Sequence, residues 1–192
     1  IVVTEPRDGA IEATGAELSS ATFAGGCFWC TEAVFEGRKG VGSVVSGFAG
    51  GSKENATYER VLTGETDHRE AVRVRYDSSE ISYRELLDIY WRSIDPTDGG
   101  GQFTDRGFQY TTAIYYHDKR QRRLALESRS NISEDVEEPV QTEVLNYTTF
   151  FEAADRHQNY SRRNTVRYEV YKQGSGRQNV LERPWGETAF ER

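Results

Sequence analysis

Thr22-Phe23-Ala24-Gly25-Gly26-Cys27-Phe28-Trp29-Cys30-Thr31-Glu32 decides how the rest of the chain is read. Thr22 to Ala24 predicts a short strand, Gly25-Gly26 breaks it, and Cys27 to Glu36 reads as helix. A strand, two glycines and a helix in succession put Cys27 at or just before the helix N-terminus. Unpaired N–H groups and the helix dipole there favour an anion, so this position predicts a lowered Cys27 thiol pKa. The glycines allow a tight turn and a close approach by substrate. Cys30, three residues on, shares the helix face of Cys27 at a Cβ separation of about 5–6 Å. A disulfide prefers about 3.8 Å, so closing one would distort the first turn modestly. Such a bond suits a reversible cycle better than a permanent staple.

Working outward, the same alternation of strand and helix continues. Val41 to Phe48 is apolar and β-branched, and Ala71 to Tyr76 alternates as a strand with one buried face. Ser82 and Glu85 form a capping box, behind which Tyr83, Leu86, Leu87, Tyr90 and Ile94 recur at helical spacing until Pro96. Thr111 to Tyr116 and Gln141 to Leu145 predict strands. Asp118 caps a polar helix carrying Leu124 and Leu126, and Glu152 to Tyr160 predicts a short helix. The fold class that follows is α/β (α+β): a single domain, built as a two-layer sandwich of helices on a mixed β-sheet. Residues 1–20 read as an N-terminal extension, 21–165 as the catalytic domain, and 166–192 as a polar C-terminal tail packed on it.

Composition narrows the function classes. The 192 residues carry a net charge of −7, which argues against a nucleic-acid or anionic-membrane partner. No apolar run approaches the roughly 20 residues of a membrane span. The two cysteines cannot form a secreted disulfide framework, and the expected compartment is the cytoplasm. Methionine is absent, so the start is read as following processing or trimming, which leaves room for a removed targeting segment. No metal is expected: beside the cysteine pair only His68, His117 and His157 could be ligands, and none has paired spacing.

Three readings of the cysteine pair stay open at this level. The two can be small core hydrophobes. They can be a thiol–disulfide exchange pair, which C-x-x-C beside a β–α unit commonly signals. They can also belong to a metal-binding or redox-sensing module. Phe28 and Trp29 between them differ from the small residues usual in thioredoxin-type exchange. An aromatic wall beside a nucleophile suits a small apolar group such as a methyl.

Gly26-Cys27-Phe28-Trp29-Cys30 with Glu32 resembles the signature of the peptide methionine sulfoxide reductase A family, in its C-x-x-C variety. Further matches follow in order: Ser46 to Gly51, His68 with Glu70 leading into Val72 to Asp77, Asp95-Pro96, Gly100 to Phe103, Asp105-Arg106-Gly107, Tyr110, and His157 to Tyr160. The resemblance spans about residues 20–165. It implies reduction of the S epimer of methionine sulfoxide, free or in peptides. Cys27 would be the nucleophile and pass through a sulfenic acid. Glu70 would be the proton donor, and Cys30 would resolve the acid as a Cys27–Cys30 disulfide. Tyr110 would bond the sulfoxide oxygen, Asp105 would line the site, and Phe28, Trp29 and Phe48 would contact substrate. No cofactor is implied beyond an external dithiol such as thioredoxin.

Departures from the family pattern carry expectations too. Phe48 stands where a tyrosine is usual, which leaves Tyr110 to hold the oxygen alone. Asp67 and Arg69 would add charge beside Glu70, and Thr104 offers no third thiol. His157 reads as structural. The N-x-S/T sequences at Asn55, Asn131, Asn146 and Asn159 read as chance.

Overall fold

In the computed structural model, which describes residues 18–177, the chain runs β1 (Ser19–Gly25), α1 (Phe28–Phe35), β2 (Val41–Ala49), α2 (Tyr58–Val61), β3 (Arg69–Tyr76), α3 (Tyr83–Trp91) and β4 (Gly101–Gln102). It continues through β5 (Asp105–Arg106), β6 (Thr112–Tyr116), α4 (Lys119–Asp135), β7 (Glu143–Asn146), β8 (Phe150–Glu152), α5 (Tyr160–Arg163) and α6 (Thr165–Gly174). The main sheet has the order β7-β6-β1-β3-β2-β8, and β4 and β5 form a separate hairpin. Only β6 and β7 pair in parallel; the other main-sheet pairs are antiparallel, so the sheet is mixed as expected.

Period-two alternation sorts the sheet into two faces. Phe23 pairs with Val72 and Ile114 and, with Val74 and Phe48, faces the helices. Phe28 and Phe35 of α1, Leu86, Leu87, Tyr90 and Trp91 of α3, and Leu124 and Ala125 of α4 complete that core. Alternate positions carry Ala24, Ala49, Ala71 and Ala113, and this shallow face is closed by Tyr115, Leu145, Tyr147 and Phe150. The two layers are therefore one helix layer and one sheet. The Ser82–Glu85 capping box forms in full, with Ser82 N–H donating to Glu85 Oε2 at 2.8 Å and Glu85 N–H to Ser82 Oγ at 3.2 Å. The Tyr90 hydroxyl donates to the Ala24 carbonyl at 2.8 Å, which fixes α3 across β1 just before the glycine turn.

One expectation needs correction. Glu152 to Tyr160 is not one helix. Glu152 ends β8, Asp155–His157 is a single 3-10 turn, and a helix begins only at Tyr160. Long-range bonds override the local pattern there: Gln158 Nε2 donates to the Ser46 carbonyl at 2.8 Å, and Ser46 N–H returns a bond to Gln158 Oε1 at 2.9 Å. The stretch beyond Arg163, read as a tail packed on the domain, includes α6, which buries Tyr168. Of the two leucines on α4, Leu124 is buried and Leu126 is on the outer face. Most of the 1–20 extension and residues 178–192 of the tail lie outside the described residues. Among the described residues no helix is long and apolar enough to cross a membrane.

Candidate active site

The site is assembled where β1 hands over to α1. Gly26 has φ +85°, and a Cβ there would lie 2.7 Å from Cβ of Gln102, so this turn requires glycine. Gln102 is itself pinned: its side chain accepts from Asp95 N–H and donates to the Asp95 carbonyl, each at 2.8 Å. Cys27 is the N-cap, with φ −54° and ψ 121°, and its carbonyl accepts N–H from Cys30 at 3.1 Å and Thr31 at 3.2 Å. The next backbone donor, Phe28 N–H, is one of the unpaired groups that every helix start presents. It donates to Glu70 Oε2 at 2.9 Å. The first residue pair of β3 thus delivers a carboxyl to the position adjoining Cys27, because Glu70 pairs with Phe48 across the sheet and shares its helix-facing side.

Burial decides the electrostatics. Glu70 is 3% exposed, and loss of solvent pushes its carboxyl up to about 8 although the Phe28 N–H pulls the other way. Asp105, on the β4–β5 hairpin, is also raised by burial. It accepts a hydrogen bond from the Tyr171 hydroxyl and feels the Arg177 guanidinium. Tyr110 follows on a short 3-10 turn, its phenol raised first by burial and then by Glu70 and Cys27.

The lowered Cys27 pKa expected from the helix terminus is not what the structure supports. Cys27 is 6% exposed, and burial pushes its thiol up, aided by its bond to Cys30 and by Glu70 and Asp105. Cys30 carries the lowered value instead, about 6, drawn down by the hydrogen bond from Cys27, by Arg177 and by Tyr168 against its own burial. Desolvation at the first turn outweighs the dipole term. The surroundings therefore favour ionisation at Cys30 over Cys27, and neither cysteine is in a disulfide.

Other placements differ from the sequence reading. Phe28 and Phe48 are buried at 1% and 2% exposure and support the site from beneath rather than forming its surface. Their ring centroids are 5.8 Å apart, and Phe28 also packs on Tyr58 and His157. Trp29 is the wall residue, stacked on Tyr160 at 3.8 Å. Arg69 adds no charge beside Glu70: it lies on the opposite sheet face, where it bonds Thr111 and pairs with Glu143. His68 is structural, held between Gly51 N–H and the Ser52 carbonyl. His157 sits among aromatic rings, consistent with its structural reading.

The sequence reading missed four residues. Tyr58, on α2, has its phenol pushed up to about 12 by burial and by Glu70 and Cys27, so Tyr110 is not the only phenol facing the acid and the nucleophile. Tyr168, Tyr171 and Arg177 come from the α6 region and bear on Cys30 and Asp105. The i, i+3 spacing of Tyr168 and Tyr171 was the only signal available for them.

A buried dithiol, a carboxylic acid kept neutral at physiological pH and two phenols converging on one turn define a thiol-dependent oxidoreductase that can deliver a proton to an oxygen. The family model described as "Peptide methionine sulfoxide reductase" matches residues 19–189. The chain is 47% identical over 168 residues to peptide methionine sulfoxide reductase MsrA of Bacillus licheniformis, covering 86% of this chain and 93% of that one. Among solved structures it resembles methionine sulfoxide reductase A of Corynebacterium diphtheriae, at TM-score 0.71 and 30% identity, covering 80% and 78% of the two chains. It also resembles Mxr1 from Saccharomyces cerevisiae in reduced form, at TM-score 0.75 and 27% identity, covering 82% and 91%. Mxr1 has also been solved in complex with Trx2, and that likeness, at TM-score 0.54 and 21% identity, bears on the fold alone. The chain belongs to the peptide methionine sulfoxide reductase family, and the reaction it serves is reduction of methionine sulfoxide to methionine.

Proposed function

We propose that the reaction runs through a sulfenic acid on Cys27 and is specific for the S epimer of methionine sulfoxide, free or in peptides. The observation that carries this reading is the 2.9 Å bond from Phe28 N–H to Glu70, which positions one residue from Cys27 an acid that burial raises to about 8. In the resting pair Cys27 passes its proton to Cys30 as its sulfur attacks the sulfoxide sulfur. Glu70 protonates the departing oxygen, with Tyr58 and Tyr110 as hydrogen-bond donors to it. The oxygen ends on Cys27 as sulfenic acid and methionine leaves as the thioether. Cys30 then attacks the Cys27 sulfur, forming the Cys27–Cys30 disulfide and releasing water. An external dithiol, thioredoxin by preference, returns two electrons and two protons; no cofactor takes part. This use of the C-x-x-C pair rests on adjacency, since Cys30 N–H already bonds the Cys27 carbonyl at 3.1 Å. Two free thiols suit a reducing compartment, and the cytoplasm is the proposed site of action.

Reductant-free, stoichiometric turnover with each epimer tests the scheme. The S epimer should yield one methionine per enzyme and a Cys27–Cys30 disulfide. Cys30→Ser should yield the same methionine with a trappable sulfenic acid on Cys27, and Cys27→Ser none. Methionine from Cys27→Ser near the wild-type level, or equal yield from the R epimer, would overturn it.

A further inference from the structure

A groove of about 790 Å³ runs between α1, α2 and the α5–α6 segment, lined at α1 by Trp29, which lies between the two cysteines in sequence. One wall is aromatic: Trp29 stacks on Tyr160, and Tyr171 meets the Trp29 ring edge-on at 6.1 Å. Tyr58 and Tyr171 also line it; Tyr58 stacks on Phe28, whose N–H bonds Glu70, and the Tyr171 hydroxyl donates to Asp105, so the groove and the site share residues. The other wall is cationic, with Arg156, Arg163 and Arg167 and, among the described residues, no acidic side chain lining it. That is unusual in a chain of net charge −7. Arg156 is partly neutralised by Glu59 at 3.1 Å. Arg163 donates to the uncharged Asp155 carbonyl at 2.8 Å and, among the described residues, has no acidic partner.

We propose that this groove receives the polypeptide flanking the oxidised methionine and favours acidic side chains there, with Arg163 and Arg167 as the specificity-determining residues. The inference rests on the proposed attack by Cys27 and adds the substrate class. An extended peptide whose sulfoxide reaches Cys27 past Tyr58 and Trp29 carries its neighbours along the arginine wall. Aromatic faces hold the chain without regard to sequence, and charge supplies the preference. Both arginines are exposed, so the preference is modest and depends on salt.

The test compares pentapeptides centred on methionine sulfoxide with Asp or with Lys at the flanking positions, alongside the uncharged N-acetyl methylamide of methionine sulfoxide. Dithiothreitol serves as reductant, so that no protein reductant enters the measurement. At low ionic strength the acidic peptide should lead the basic one by about 3- to 10-fold in kcat/KM, carried by KM. The ratio should fall toward unity in high salt. Arg163→Glu with Arg167→Glu should invert it, and Arg163→Gln with Arg167→Gln should abolish it. A wild-type ratio of unity, or a ratio that survives in the glutamine pair, overturns the proposal. If the uncharged amide is turned over while the ratio is unity, only this inference fails; if the amide is not turned over, the proposed attack by Cys27 fails first.

Discussion

Glu70→Gln is the most searching single perturbation of this site. Glutamine keeps the shape and can still accept the 2.9 Å bond from Phe28 N–H through its carbonyl oxygen, but it has no proton to give to a leaving oxygen. With the carboxyl at about 8, roughly 90% of wild-type molecules hold that proton at pH 7. At the ordinary value of 4.5 only about 0.3% would, so burial enlarges the competent population by roughly 300-fold. A positioned acid accelerates proton transfer by roughly 10²–10⁴-fold, and loss of that range is expected in single-turnover methionine release. Because protonated Glu70 and ionised Cys30 are the active forms, the wild-type rate should hold between about pH 6 and 8 and fall about tenfold per unit above 8. Rapid-quench measurement from pH 5 to 10 reads both features. A Glu70→Gln rate within about threefold of wild type, or an alkaline limb that survives in the variant, would show that the proton comes from elsewhere.

Three other outcomes follow from the same geometry. Glu70 holds its proton up to about 8 when folded but only to its ordinary 4.5 when unfolded. Its contribution is therefore present below 4.5 and lost as pH rises to 8, by roughly 3–5 kcal/mol, and denaturation curves of Glu70→Gln should be flatter across that window. Arg177→Gln removes a cation that lowers Cys30; disulfide closure near neutral pH, followed by loss of free thiol, should slow several-fold and recover at alkaline pH. Tyr58→Phe should slow the chemical step by about 10- to 100-fold, and a Tyr58→Phe, Tyr110→Phe pair by more than either alone. A Tyr58→Phe rate equal to wild type would remove that phenol from the mechanism.

What the sequence disclosed was local. Gly25-Gly26 before Cys27 fixed the strand, turn and N-cap, and Ser82 with Glu85 fixed the start of α3, because each is settled by contacts within a few residues. The fold class followed from the alternation those elements began. The chemistry of the pair was less legible. Helix position is visible in sequence, whereas the burial that raises Cys27 depends on Glu70, Asp105 and α6 closing over it. The α6 helix was hidden because Val166 and Val170 are exposed at 80% and 67%, so no apolar stripe marks it and its contribution rests on Tyr168, Tyr171 and Arg177. Tyr58 belongs to no periodic pattern and reaches the site only through the path of the chain between β2 and β3. Glu152 to Tyr160 failed as a helix for the same kind of reason: Gln158 and Asn159 are held by Ser46 and Glu32, partners more than a hundred residues away.

The shared hydrogen bond between the two sulfurs has a consequence for survival among oxidants. Peroxide prefers ionised sulfur, and here the surroundings favour ionisation at Cys30 over Cys27, the sulfur proposed to meet substrate. If an oxidant does reach either, its partner is already in place to expel the added oxygen, and both routes end in one and the same ring. A repair catalyst built this way turns an injury to itself into an ordinary station of its own cycle, from which the usual electron donor restores it.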